Sequence, residues 1–346
     1  MKPTNPGRDG REDFAAYPER LCLHENWVPR VSYHQRITLI LIACIFMTAC
    51  VTDKEEGAIS SIRVDSPYFG QPVPGLIPEL FAPGIVSTDG IEFNGVFSPD
   101  GNEFFFGRHV AGVDTMFHSV FADGAWSEPV RLPVFPGEVS GDMSVSPDGR
   151  ELYFLGEYPN EYAPEHPTWD IWVTHRVDGK WVPARVVPPP ISTEAMEVYP
   201  VVVADGSLYF SSNRPGGTRS DLYRAQRLGE GNFAEPVNVG QPINGESGTG
   251  DTFVAPDESY MVFSSDRPPS VGNGDLFVSF RLDNGSWGKP AHLGDVINTD
   301  AHEFCPMVTP DGKYLFFSRL YGGSWETATG GNVYWVDAGI LEQFRH

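Results

Sequence analysis

FSPDGNEFFFG, running from Phe97 to Gly107, is the stretch from which the rest of the chain can be read. Pro at the second turn position presets φ, Asp bonds its own backbone and Gly accepts a positive φ, so S-P-D-G closes a hairpin between two apolar runs. The same unit returns as VSPDGRELYFL from Val145, VVADGSLYFSS from Val202, VAPDESYMVFSS from Val254 and VTPDGKYLFFS from Val308. The turn residues Asp100, Asp148, Asp205, Asp257 and Asp311 stand 48, 57, 52 and 54 residues apart, a period near that of propeller blades and longer than that of leucine-rich, ankyrin or tetratricopeptide units. A third apolar run follows each hairpin after a Gly- and Pro-rich loop: DTMFHSVF at Asp114, DIWVTHRV at Asp170, DLYRAQRL at Asp221, DLFVSFRL at Asp275 and NVYWVDAG at Asn332. A fourth, opened by an aromatic and a Pro, follows in copies one to four as WSEPVRL, WVPARVV, FAEPVNV and WGKPAHL. Four strands per repeat, a to d, make the blade of a β-propeller.

Copy five ends without a fourth strand, and the missing piece stands upstream of copy one. IPELFAPGIVST (Ile77 to Thr88) ends in the same lead-in as PPPIST (to Thr193) and LGDVINT (to Thr299), and each is followed four residues later by Glu92, Glu197 or Glu303. The expectation is therefore an all-β chain: a five-bladed β-propeller of four-stranded blades over residues 77–346. Its N-terminal strand completes the last blade, so the ring closes without an open sheet edge.

SPDG before an apolar strand b, the loops SSNRPGG and SSDRPPS before a D-L-Y or D-L-F strand, and a W-x-x-P strand d together resemble the PD40 (WD40-like) repeats of TolB-type periplasmic propellers. The resemblance covers roughly residues 77–346 and implies the fold; propellers host enzymes, binders and scaffolds alike, so it implies no activity. The chain has five repeats rather than six and no visible separate N-terminal α/β domain, so translocation and colicin roles are not implied.

Composition agrees with many short elements, since Gly (37) and Pro (31) together make close to a fifth of the 346 residues. With 24 Lys and Arg against 46 Asp and Glu, the net charge of −22 repels the phosphates that dominate nucleic-acid affinity, so nucleic acid is excluded as a partner. Ordinary apolar content and plentiful aromatics argue against long disorder.

Ile37 to Ala49 is a thirteen-residue apolar run, too short to span a bilayer and suited to a signal h-region over 36–49. Met47-Thr48-Ala49-Cys50 resembles the lipobox of bacterial lipoproteins, which implies acylation of Cys50. Leu41-Ile42-Ala43-Cys44 is a competing match; the polar run from Thr52 to Glu56 directly after Cys50 favours Cys50. Residues 1–35 lengthen the pre-sequence beyond the usual, and an internal start at Val28 or Val31 would account for them. Residues 50–76, rich in Pro, Gly and Ser toward their end, read as a lipid-anchored tether. Removing residues 1–50 takes away six basic and five acidic residues and leaves 18 against 41, a net charge of −23. The acidity belongs to the exported part, in which Cys305 is the one free thiol once Cys50 is acylated. Val51 rather than Asp after Cys50 implies the periplasmic face of the outer membrane in a Gram-negative cell.

Aligning the copies places Glu92, Glu197 and Glu303 at the start of strand a, with Asp142 and Asp251 two residues later. Arg108, Arg214, Arg267 and Arg319 follow strand b, and Asp114, Asp170, Asp221 and Asp275 open strand c. A polar residue repeated in equivalent positions is usually fold chemistry, such as an inter-blade Arg–carboxylate pair or a cap on loop N–H groups. Clustered carboxylates also perturb one another and mark sites. Glu92, Glu197 and Glu303 are accordingly the catalytic candidates, expected at an axial mouth. Paired carboxyls there would suit a glycosidic bond, and their oxygens would suit Ca²⁺. Asp142, Asp251, Arg108, Arg214, Arg267, Arg319 and His302 are the binding candidates; His109 has the same standing as His302, and Cys305 is expected to pack as a small apolar residue.

No HExxH, zinc-ligand Cys/His pair, G-x-S-x-G, P-loop or G-x-G-x-x-G signature is present, so no complete catalytic constellation is readable. The leading expectation is an exported, lipid-anchored monomer that binds a protein or glycan at the cell envelope, requires no cofactor and touches the membrane only through its anchor. The alternatives are a glycoside hydrolase or lyase working through the axial carboxylates, and a passive scaffold of an envelope complex.

Overall fold

Each apolar pair flanking an S-P-D-G turn folds back on itself, and the computed structural model sets the five resulting hairpins around one axis. It describes residues 61–63, 67–135, 141–162, 169–217, 220–229, 231–323 and 325–345. Contacts divide the chain into Met1–Glu56 and Gly57–His346. The first unit, with the N-terminal extension, the h-region and Cys50, lies outside the described residues.

Strands a to d of blade one are Glu92–Phe97, Glu103–Val110, Val113–Ala122 and Val130–Arg131; those of blade two are Gly141–Val145, Glu151–Glu157, Trp169–Val177 and Arg185–Val186. Blade three uses Glu197–Val202, Leu208–Ser212, Asp221–Ala225 and Val237–Asn238, and blade four Thr252–Val254, Tyr260–Ser265, Asp275–Phe280 and Ala291–His292. Blade five supplies His302–Val308, Tyr314–Tyr321 and Gly330–Asp337, and its fourth strand is Glu79–Leu80, antiparallel to the third with Glu79 opposite Trp335 and Leu80 opposite Tyr334. Neighbouring a strands touch in the order one to five and back to one, so the ring is closed.

The run Phe104-Phe105-Phe106 shows why strand b is apolar throughout. Successive side chains point to opposite faces of a strand. Phe104 and Phe106 enter the cluster shared with blade five, whereas Phe105 enters the one shared with blade two. Each of the five blade interfaces holds one such cluster. The turns behave as their residues dictate: Ser98 Oγ donates to Asp100 Oδ1 at 2.6 Å, Asp100 accepts the Asn102 N–H at 3.1 Å, and Gly101 has φ +71°. In blade four Glu258 occupies the glycine position at φ +57°, where its carboxylate holds Arg224 of blade three at 2.8 Å and accepts the Tyr209 hydroxyl.

Packing begins ahead of the boundary expected at Ile77. Ser61–Arg63 pairs with Ala125–Ser127, and the Phe69 ring stacks on Trp126 at 4.3 Å. At least the C-terminal part of the expected tether is thus laid onto the propeller, because its aromatics fill the interface of blades one and five.

Candidate functional site

The glutamates are fully buried, and all three are held in the same way. Thr88 Oγ1 donates to Glu92 Oε1 at 2.6 Å and the Thr88 N–H to Oε2 at 2.9 Å; Thr193 and Thr299 repeat both bonds to Glu197 and Glu303. From strand b of the same blade, Arg108 Nε reaches Glu92 at 2.9 Å, Arg214 Nη2 reaches Glu197 at 3.1 Å and Arg319 Nε reaches Glu303 at 2.6 Å. Nη2 of each guanidinium donates to a carbonyl of the incoming d–a loop: Ile85, Ile191 or Ile297. Blade four has Thr249 in place of the glutamate; Arg267 there donates to the Ile243 and Pro242 carbonyls, and burial pushes its pKa down.

These seven residues therefore form clamps that fix strand a to strand b and to the preceding blade's last loop. The expectation that Glu92, Glu197 and Glu303 stand open at an axial mouth is corrected. Burial in a low-dielectric wall demands pairing, and the arginine and the threonine supply it. The pairs lie within a blade rather than between blades.

The strand c aspartates are held by local partners as well: Asp114 by His109 at 2.7 Å, Asp170 by Asn160 at 2.8 Å, Asp221 by Asn238 at 2.9 Å and Asp275 by His292 at 2.7 Å. His302 packs against Phe304 with ring centroids 5.0 Å apart, and burial pushes its pKa down to about 4, so it is a neutral imidazole at ordinary pH.

What lines the axis is the position two residues further on. Asn94, Asp142, Tyr199, Asp251 and Cys305, one from each blade, surround a cavity of about 20 Å³. In blades one, two, three and five this residue sits where the a–b register slips, at φ +54°, +49°, +57° and +46°. Such bulges re-aim a side chain out of the pleat. Asp142, Asp251 and Cys305 bring their ligating atoms within 4.8 Å of one another. The Cys305 thiol donates to Asp251 Oδ1 at 3.0 Å and lies 3.6 Å from Asp142 Oδ1. Cys305 is thus part of a polar trio, not the inert packing residue expected from sequence; its membership could have been found by placing it in one column with Asp142 and Asp251.

Burial, and then Asp251, raise the Asp142 pKa well above the carboxylate range; burial raises Asp251 to about 6 and pushes the Cys305 thiol up. Ca²⁺ takes six to eight oxygen ligands. Here a thiol stands among the donors, and the Asn94 amide oxygen is spent on the Met143 N–H, so the set does not fit that ion. Burial there disfavours the charged form of all three groups.

This has a measurable consequence. Between pH 3.8 and about 6 the folded protein keeps a proton on Asp251 that the unfolded chain releases, so stability falls as pH rises through that window. Asp251→Asn removes the penalty. Its stability gain at pH 7.5 is expected at about 1–3 kcal/mol, or roughly 3–10 °C in Tm, and vanishes below about pH 4. Thermal melts across pH test it, and a lower Tm for the variant at pH 7.5 would show that the charged form is the stabilised one.

A second cavity, of about 620 Å³, opens between blades two and three on the face of the S-P-D-G turns. Its walls include Pro147, Arg150, His175, Arg185, Ala204 and Arg227.

No family model matches the chain, and no curated protein matches it. Among solved structures it is similar to TolB from Acinetobacter baumannii, at 14% identity over 73% of this chain and 59% of that one, with TM-score 0.44. It is also similar to the catalytic domain of an α-L-arabinofuranosidase from Coprinopsis cinerea, at 10% identity over 76% and 97% of the two chains, TM-score 0.47. An α-L-arabinofuranosidase from Podospora anserina, solved with cellotriose, shares 12% identity over 77% and 98%, TM-score 0.47. At these identities the likeness is one of fold.

Proposed function

We propose that the protein is a binding propeller of the bacterial cell envelope, exported and lipid-anchored through Cys50, that holds a glycan or protein ligand without turning it over. The observation that carries this reading is the clamping of Glu92, Glu197 and Glu303: both oxygens of each are engaged and buried, which leaves no free acid/base pair among them. The remaining axial carboxylates share a cavity of about 20 Å³, room for roughly one water and far too little for a sugar ring. The blade two–three groove, at about 620 Å³, falls within the range of ligand pockets, about 300–1,000 Å³.

The test has two readouts on the whole chain. Expressed in a Gram-negative host, the protein is expected in the outer-membrane fraction, and Cys50→Ser is expected to move it to the soluble periplasm. Applied to a glycan array, it is expected to retain ligand with no cleaved product by mass spectrometry, and Ala204→Trp, which fills the groove from an exposed position, is expected to abolish retention. Product release by the wild type that Glu197→Gln stops would overturn the non-catalytic reading.

A further inference from the structure

Repetition separates two kinds of residue in this ring. A side chain present in several blades holds the fold, whereas one present in a single blade needs another cause. On the turn face, Arg176 and Arg227 share a position six residues after the aspartate that opens strand c, and each reaches back one blade: Arg176 to Glu103, and Arg227 Nη2 to Glu151 Oε1 at 2.7 Å. Glu103 and Glu151 likewise share a position just after the turn. These pairs belong to the scaffold, and Arg227–Glu151 lies in the wall of the blade two–three groove.

Arg150 and Arg185, in the same groove, are not repeated. The place of Arg150 is taken in other blades by Asn102, Ser207, Ser259 and Lys313. Lys313 turns back on its own Asp311 at 2.9 Å. In blade two the corresponding Asp148 is engaged by Ser146 at 2.7 Å and by the Arg150 N–H at 3.1 Å, and the exposed Arg150 guanidinium makes no hydrogen bond or ion pair among the described residues. Arg185 stands in strand d where blades one, three and four have Val130, Val237 and Ala291 and blade five has Glu79. It too is exposed and makes no ion pair among the described residues. Its Nη2 lies 2.7 Å from where a Cβ on Gly231 would be, so the side chain crosses from blade two onto blade three. The acidic groups of the groove already have partners, with Asp205 on Arg224 at 2.8 Å and Glu151 on Arg227.

We infer that the groove between blades two and three takes an oxyanion-bearing sugar, a sugar acid or sugar phosphate, whose carboxylate or phosphate is held by Arg150 and Arg185. This rests on the binding reading above and adds the ligand class. Guanidinium forks match the planar oxygens of carboxylate and the oxygens of phosphate. A chain whose residues 51–346 carry a net charge of −23 repels anions over most of its surface, so holding one demands local, unneutralised cations.

Titration calorimetry of the full chain with glucuronate, glucose 6-phosphate and neutral glucose tests the inference. At least one charged sugar is expected to bind while glucose does not, with affinity falling as NaCl rises. The R150A/R185A double variant is expected to weaken binding at least tenfold with Tm changed little, since neither guanidinium has a hydrogen bond or ion pair to lose among the described residues. Ala204→Trp is expected to abolish it. Charged sugars that bind no better than glucose, or equally well to the double variant, would overturn the inference. If a neutral glycan binds, is lost in Ala204→Trp and is kept in the double variant, the anion inference falls and the binding reading stands. If nothing on the array or in this panel binds, both fall.

Discussion

A chain beginning at Asp89 is expected to be unfolded or aggregated where one beginning at Val51 is a folded monomer. The deleted segment carries strand d of blade five, Glu79–Leu80, and behind it Phe81, which is fully buried. The Phe81 ring lies 4.8 Å from Phe316, 5.1 Å from Phe104 and 5.2 Å from Trp335, and its N–H donates to the Val333 carbonyl. Phe69 on Trp126 leaves with it. Each buried aromatic lost from a packed core costs about 3–5 kcal/mol, so two of them approach the whole stability of a typical domain, about 5–15 kcal/mol. The third strand of blade five, Gly330–Asp337, would then present an unpaired edge to other chains. Size-exclusion chromatography and melting of the two chains decide the matter; a monodisperse Asp89 chain melting within a few degrees of the longer one would mean that the ring does not need its N-terminal strand.

Glu197→Ala is expected to lower Tm by roughly 6–20 °C. Breaking one partner out of a buried ion pair costs about 3–5 kcal/mol, because a charge is left alone in the wall, and a domain of this size loses about 2–4 °C per kcal/mol. Three groups depend on that carboxylate: Thr193 at 2.7 Å, Ser212 at 3.0 Å and Arg214 at 3.1 Å. The double variant Glu197→Ala/Arg214→Ala is expected to recover part of the loss, which a thermal double-mutant cycle would measure. An additive double variant would show that the arginine's bonds to the incoming loop, and not its charge pairing, carry the clamp. Ligand retention at the distant groove should be unchanged in every variant that remains folded.

The repeat, the blade count and the closing strand were legible in the sequence because each rests on a local signal: a turn that needs Pro, Asp and Gly in order, a two-residue apolar period, and a lead-in ending in Thr four residues before Glu. Depth was not legible. An alignment places Glu92, Glu197 and Glu303 in one column but does not say whether that column faces the axis or lies within the wall, and the bulge one step later decides it. Asn94 and Asp142 are residue types that tolerate a positive φ, but Tyr199 and Cys305 in the same column give no such signal. The packing of Phe69 was hidden for a different reason: a segment without period can still deliver a single aromatic to a cluster. Arg150 and Arg185 were visible as departures from the repeat, yet a search for recurring residues passes over the ones that fail to recur.

The placement of the closing strand also sets the order in which the molecule can become whole. Leu80 emerges from the ribosome roughly 250 residues before Tyr334, its partner. Joining them closes a loop of roughly 250 residues, for which chain entropy alone costs about 5 kcal/mol. Blades one to four can assemble side by side while the chain is being made, but the aromatic interface between blades five and one waits for the C-terminal strand. Until it arrives the chain is an open arc with two raw ends. Resistance to unfolding is therefore conferred late and all at once, by the pairing of Glu79–Leu80 with Gly330–Asp337.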